Sequence, residues 1–172
     1  QATSDTFGQK VLGIKEDDIV YSAAKLFFAY GLGNAMSFPM SVGATTLLFA
    51  NRPTPDAVTD IIENQKPTIF CGVPTLFAAL LAYIDQRSEN IDHNLRINTS
   101  AGEALPREVG ERWNAITGTD IVDGVGSTEM LHIFLSNRPD DLVYGTSGTA
   151  VPGYTVRLVD EVGNDCAVGQ GV

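Results

Sequence analysis

Short apolar runs alternate along the chain with stretches in which apolar residues recur every three or four positions. Residues 19–21, 45–49, 68–71, 97–100 and 121–123 are too short for helices and end near Gly, Ala or a polar residue, so they read as short buried strands. Between them lie helical patterns. Thr54, Pro55 and Asp56 supply an N-cap, a first-turn proline and an acidic residue for the helix dipole, and Ala57, Val58, Ile61 and Ile62 then form one apolar face. Pro74 opens a second helix with Leu76, Phe77, Leu80, Leu81 and Ile84 facing inward. Pro106 opens a third, in which Val109, Trp113 and Ile116 keep helical spacing until Gly118 stops it. This βαβα rhythm predicts an α/β fold: a mainly parallel sheet flanked by helices, with functional loops at the C-terminal ends of the strands.

The rhythm changes near residue 150. Tyr154, Val156 and Leu158 alternate with Thr155 and Arg157, and Gly163-Asn164 can turn the chain toward a further strand near Cys166. The expected division is an α/β subdomain over 1–150 and the start of a β-rich element over 151–172. The first ten residues show no clear periodicity and there is no initial Met, so the chain reads as a piece of a larger domain.

Composition narrows the function classes. With 172 residues, 44% of them hydrophobic and 19% charged, a core is available, and collagen, coiled coil and wholesale disorder are excluded. A formal charge of −10 disfavours a nucleic-acid partner, although helix N-termini, backbone amides and Mg²⁺ can still hold a nucleotide's phosphates locally. Cys71 and Cys166 form no spacing motif, and their scarcity suits a reducing compartment. The sequence has no apolar run of membrane-spanning length and no apolar signal-peptide core at its start, so no membrane partner is expected and a cytoplasmic location is the default.

Three Gly-, Ser- and aromatic-rich stretches are candidates for chemistry. In the turn Ser100-Ala101-Gly102-Glu103-Ala104-Leu105-Pro106, small side chains let a planar ring approach the backbone and Glu103 can accept from an exocyclic amine; the same residues also suit an ordinary strand-to-helix turn. The stretch Asp123-Gly124-Val125-Gly126-Ser127-Thr128-Glu129 can surround a phosphate and its metal, or Ser127 can simply cap a short helix. It is neither a dinucleotide fingerprint nor a P-loop. The third stretch, residues 25–34, sets aromatics beside glycines, which suits either a slot for a ring or plain core. His132, three residues beyond Glu129, is placed to share a helical face with it, and His93 sits in a polar stretch expected to face solvent. No Ser-His-Asp triad or zinc motif stands out.

Taken in order, these stretches resemble the acyl-adenylate-forming enzymes, the superfamily of acyl-CoA synthetases, adenylation domains and luciferases. DGVGSTE is similar to their GYGxTE motif, SAGEALP to their adenine-binding turn and LFFAYGLGN to the motif that forms the acyl pocket. The segment from GTSGTAVPGY onward is similar to the run into their GELxxxG strand, and the wording of KLFFAYGLGNAMSFPMSVGATTLL resembles the benzoate- and hydroxybenzoate-CoA ligases in particular. The resemblance implies a ligase that activates benzoate or a related aromatic carboxylate with ATP and Mg²⁺ to an acyl-adenylate and passes the acyl group to CoA. It implies that Gly102, Glu103 and Ala104 border adenine and that Asp123, Gly124, Val125 and Gly126 complete that wall. Thr128 and Glu129 are implied as the catalytic pair, Thr128 on the α-phosphate and Glu129 on Mg²⁺, with Ala29, Tyr30 and His132 lining the aryl pocket. Val125 stands where many relatives carry an aromatic.

The family's phosphate loop, its ribose-binding Asp and its adenylating Lys are not found in this sequence; the resemblance places them before Gln1 and after Val172 and implies an inactive isolated chain. Three alternatives stay open: an aryl adenylation domain that loads a carrier protein, a non-catalytic nucleotide-binding module, and a structural fragment that binds nothing.

Overall fold

The computed structural model describes residues 1–167 and 169. Its seven strands are β1 (Ile19–Ser22), β2 (Thr45–Leu47), β3 (Ile69–Gly72), β4 (Ile97–Ala101), β5 (Ile121–Gly126), β6 (Ile133–Ser136) and β7 (Thr149–Ala150), and they form one sheet in the order β2-β1-β3-β4-β5-β6-β7. The first five are parallel, as the βαβα rhythm requires. β6 and β7 are added antiparallel at one edge, with a bulge between Val125 and Gly126 where β6 pairs with β5.

The apolar runs lack alternation because the sheet is covered on both faces. Every residue of β3 and β4 is buried. Tyr21, Phe70 and Ile121 point into the cluster built under the helices Pro55–Gln65, Pro74–Ile84 and Arg107–Thr117, while their neighbours Val20, Ile69 and Val122 point into a second cluster on the opposite face. All five apolar positions expected inward on the Pro74–Ile84 helix are buried, and Trp113 is fully enclosed, edge-on to Phe77 at 5.0 Å.

The second face is covered by elements that periodicity did not announce. Ser4–Val11 forms a wide, π-type helix that buries Phe7 and Val11, and residues 29–42 run as a helical stretch, Ala29–Leu32, then π-type Gly33–Ser37, then Phe38–Val42. The wider winding breaks the i, i+4 register on which a sequence pattern depends. Among the described residues beyond Val151 a bridge joins Val159 and Asp165 across the Asp160 to Asn164 turn; Val156 and Leu158 are exposed. The further strand expected near Cys166 would run into residues 168 and 170–172, which lie outside the described residues.

At the N-terminal ends of the strands the sheet is clamped. Asp18, 3% exposed, receives Arg96 Nη2 at 2.5 Å, the Thr68 hydroxyl at 2.6 Å and the Lys15 amide at 2.8 Å, while Arg96 also donates to the carbonyls of Leu12 and Gly13. Burial pushes the Asp18 carboxyl up, but Arg96, Thr68 and the Lys15 amide outweigh it and hold the group below the ordinary carboxylate range. One carboxylate thereby ties together the entries to β1, β3 and β4.

Candidate functional site

The C-terminal strand ends carry the predicted residues. Parallel register sets Ala101 opposite Gly124 and Ser100 opposite Asp123, so the turn after β4 lies beside the end of β5 although about 20 residues separate them in sequence. Gly102, Glu103, Ala104, Asp123, Gly124, Val125 and Gly126 line one cleft of about 220 Å³, joined by Ser147, which sequence reasoning did not single out. Gly124, Val125 and Gly126 belong to β5 rather than to a loop: the strand runs on to Gly126, three residues past its expected end. The Asp123 carboxylate lies within 3.4 Å of the Leu105 amide and so links the turn to the strand; burial pushes its pKa up, opposed by that amide.

A second cleft, about 170 Å³ and mostly apolar, is lined by Ala29, Tyr30, Thr128 and His132 together with Phe28, Ala101, Gly102, Gly126, Ser127 and Ile133. The two clefts share Gly102 and Gly126. A third apolar hollow of about 460 Å³ shares Phe28, Tyr30, Ala101 and Gly102 with the second cleft.

Tyr30 is half-buried, and its hydroxyl is tied down inside the sheet. Its hydroxyl faces the carbonyls of Gly72 at 3.1 Å and Thr99 at 3.0 Å, bridging β3 and β4, so it offers the cleft its ring and not its hydroxyl. Burial raises its pKa well above the ordinary tyrosine value. His132 stacks on Tyr30 at 5.6 Å, with Phe38 edge-on at 4.7 Å and Phe7 at 5.0 Å. Its Nε2 lies 3.3 Å from the Tyr30 carbonyl, to which it donates, and its Nδ1 is buried with no partner among the described residues. Burial lowers the His132 pKa to about 4, the Tyr30 carbonyl opposing this only in part, so the ring is neutral near pH 7. Gly33 makes the arrangement possible: a Cβ there would fall 2.4 Å from the His132 ring.

Glu129 and His132 do not share a helical face. The chain turns between them, Leu131 adopts φ 68°, and Glu129 is left exposed while His132 is buried. Ser127 caps this turn, accepting from the Met130 amide at 3.2 Å, and Thr128 is exposed at the apolar cleft. His93 is half-buried rather than solvent-facing, its Nδ1 accepting from the Leu95 amide at 3.1 Å.

The profile of the AMP-binding enzymes, described as "AMP-binding enzyme", matches residues 1–171. The chain belongs to the AMP-binding enzyme family. It is 59% identical over 161 residues to the benzoate–CoA ligase of Thauera aromatica, covering 94% of this chain and 30% of that protein. It is 54% identical over 156 residues to the 4-hydroxybenzoate–CoA/benzoate–CoA ligase of Rhodopseudomonas palustris, covering 91% and 29%. Among solved structures, a benzoate CoA ligase from Burkholderia xenovorans LB400 superposes with a TM-score of 0.94 at 54% identity, over 98% of this chain and 34% of that one. The anthranilate CoA ligase AuaEII, solved in complex with anthranoyl-AMP, gives a TM-score of 0.92 at 42% identity, over 96% and 32%. The chain thus spans about a third or less of each relative's length. Among the described residues no helix of this AMP-binding family member is long and apolar enough to cross a membrane, and no group of three or more His, Cys, Asp and Glu gathers as a metal site.

Proposed function

We propose that this chain is the part of an ATP-dependent aryl-CoA ligase that holds the adenine, the α-phosphate contact and the aromatic acid, with benzoate or a small-ring relative as the acid. The observation that carries the reading is the meeting of the two clefts at Gly102 and Gly126. A flat base in the first cleft and an apolar ring in the second bring the acid's carboxylate and the nucleotide's α-phosphate to the same place, beside Thr128. Identity of 59% to a protein named benzoate–CoA ligase supports the choice of acid and acceptor.

In the first step a carboxylate oxygen of the acid attacks the α-phosphorus, forming the acyl–phosphate bond as the bond to pyrophosphate breaks. In the second, the CoA thiol gives its proton to solvent, its sulfur attacks the acyl carbon, and the acyl–phosphate bond breaks to release AMP. Positioning and charge stabilisation are the protein's contribution. The Thr128 hydroxyl, exposed at the cleft, donates to an α-phosphate oxygen, and the neutral His132 and the Tyr30 ring give the acid an uncharged, flat wall. A single exposed carboxylate, Glu129, fits a Mg²⁺ that arrives on the nucleotide, since that ion is commonly held by one or two carboxylates plus substrate phosphates. When bound there the ion neutralises charge on the phosphates.

The test uses an enzyme that contains this chain. Benzoate-dependent pyrophosphate exchange, followed by thioester formation only when free CoA is added, is the expected result; exchange with no CoA consumption would reassign the chain to a carrier-loading enzyme, and no exchange would defeat the reading. Glu129→Gln is expected to lower kcat/KM by on the order of 100-fold, while the exposed position keeps stability within about 0.5 kcal/mol of the parent. Unchanged kcat/KM would remove Glu129 from the site.

A further inference from the structure

The loop between β6 and β7 reaches the nucleotide cleft through one residue, Ser147. An exposed connection of this length is ordinarily soft, yet this one is fastened at its root, across its middle and to a helix. At the root, the Asn137 amide donates to the Asp123 carbonyl at 2.9 Å, joining the loop to a residue that itself lines the cleft. Across the middle, the buried Asn137 side chain accepts from the Val143 amide at 3.0 Å and donates to the Thr146 carbonyl at 2.7 Å, which closes the loop on itself.

The third fastening is Tyr144. Its hydroxyl donates to Asp120 Oδ1 at 2.8 Å and lies 3.4 Å from the Ile121 amide at the start of β5. Its ring rests on Gly110 of the Arg107–Thr117 helix, where any Cβ would come within 2.3 Å of the ring. Ser147 follows three residues later, in the same cleft as Gly102, Glu103 and Ala104.

We infer that Ser147 sets the width of the base slot, and that Tyr144 is the positioning residue that holds it there. The inference rests on the reading of that cleft as the adenine site. A slot for a flat ring needs small lining residues: Gly102 and Ala104 come from the turn after β4, and Ser147 is the small residue contributed by the loop. A larger side chain at 147 closes the slot to the base without touching the apolar cleft, whose lining does not include it.

Steady-state pyrophosphate exchange on an enzyme containing this chain decides the matter, with KM for ATP and for benzoate measured separately. Ser147→Leu is expected to raise KM for ATP by at least about tenfold, leaving KM for benzoate unchanged; Ser147→Val makes the same test at smaller size should the leucine variant not fold. Tyr144→Phe keeps the ring on Gly110 but loses the hydroxyl's bonds, and is expected to raise KM for ATP about three- to tenfold with kcat at saturating ATP retained. Ala104→Leu, in the same cleft, is the control. If it raises KM for ATP while both Ser147 variants do not, the cleft binds the base and the inference about Ser147 is wrong. If none of the three does, the adenine reading itself fails. A Tyr144→Phe enzyme with a lower Tm but an unchanged KM for ATP would make Tyr144 purely structural and overturn its positioning role.

Discussion

The two ends of the parallel sheet are built on opposite plans. At the N-terminal end Asp18 is enclosed, charged and saturated, with a guanidinium, a hydroxyl and a backbone amide all directed at it. At the C-terminal end Thr128 is exposed at the apolar cleft, His132 is buried and neutral, and Glu129 is exposed on the turn between them, outside the lining of both clefts. Charge satisfied internally stabilises a fold but has nothing left to offer a ligand. Polar groups left exposed beside a cleft contribute little to stability and keep their hydrogen-bonding capacity free.

The largest way to break this contrast is to remove the clamp. Arg96→Leu strands the buried Asp18 carboxylate and is expected to cost about 2–4 kcal/mol, a range reduced because Arg96 is itself about one-third exposed. Urea unfolding of the parent and variant chains checks this, and a loss near zero would mean that the clamp is ornamental. Acid should reveal the other end. With its pKa lowered to about 4 in the fold against 6.5 unfolded, His132 binds fewer protons folded than unfolded between those values. Its contribution is therefore present above about pH 6.5 and lost as pH falls toward 4, by up to about 3 kcal/mol. Stability measured across pH 4 to 7 in the parent and His132→Gln should show a shallower slope in the variant; the slope is the readout, since the absolute stability also changes with packing. Parallel slopes would place His132 in contact with water. The smallest effect is expected from Tyr30→Phe. Losing the hydroxyl that bridges Gly72 and Thr99 costs about 1 kcal/mol, while the ring that faces the cleft remains, so KM for benzoate in an enzyme containing this chain should stay within about twofold of the parent. A larger change in KM would show that the hydroxyl, not the ring, faces the acid.

Much of this could be read before any coordinates. Helices at Pro55–Gln65, Pro74–Ile84 and Arg107–Thr117 were legible because a 3.6-residue apolar period opened by proline is a local signal, and in the last of them Gly118 also marks the end. The five parallel strands were legible as apolar runs, though their ends were misjudged by up to three residues: pairing, not composition, decides where a strand stops, and Val125 and Gly126 join β5 because β6 lies beside them. The antiparallel strands β6 and β7 and the π-type segments were not legible, since both depend on neighbours far away in sequence.

The sequence by itself determined the βαβα order, the two buried faces and the small-residue turns at the strand ends, because each follows from the spacing of residues close together along the chain. Only the tertiary structure decided that Gly102 to Ala104, Asp123 to Gly126 and Ser147 line one cleft, that the Tyr30 hydroxyl is spent on β3 and β4, and that Glu129 and His132 part. Strand register brings together residues tens of positions apart, and the left-handed turn at Leu131 breaks the helical spacing between Glu129 and His132; no local period records either.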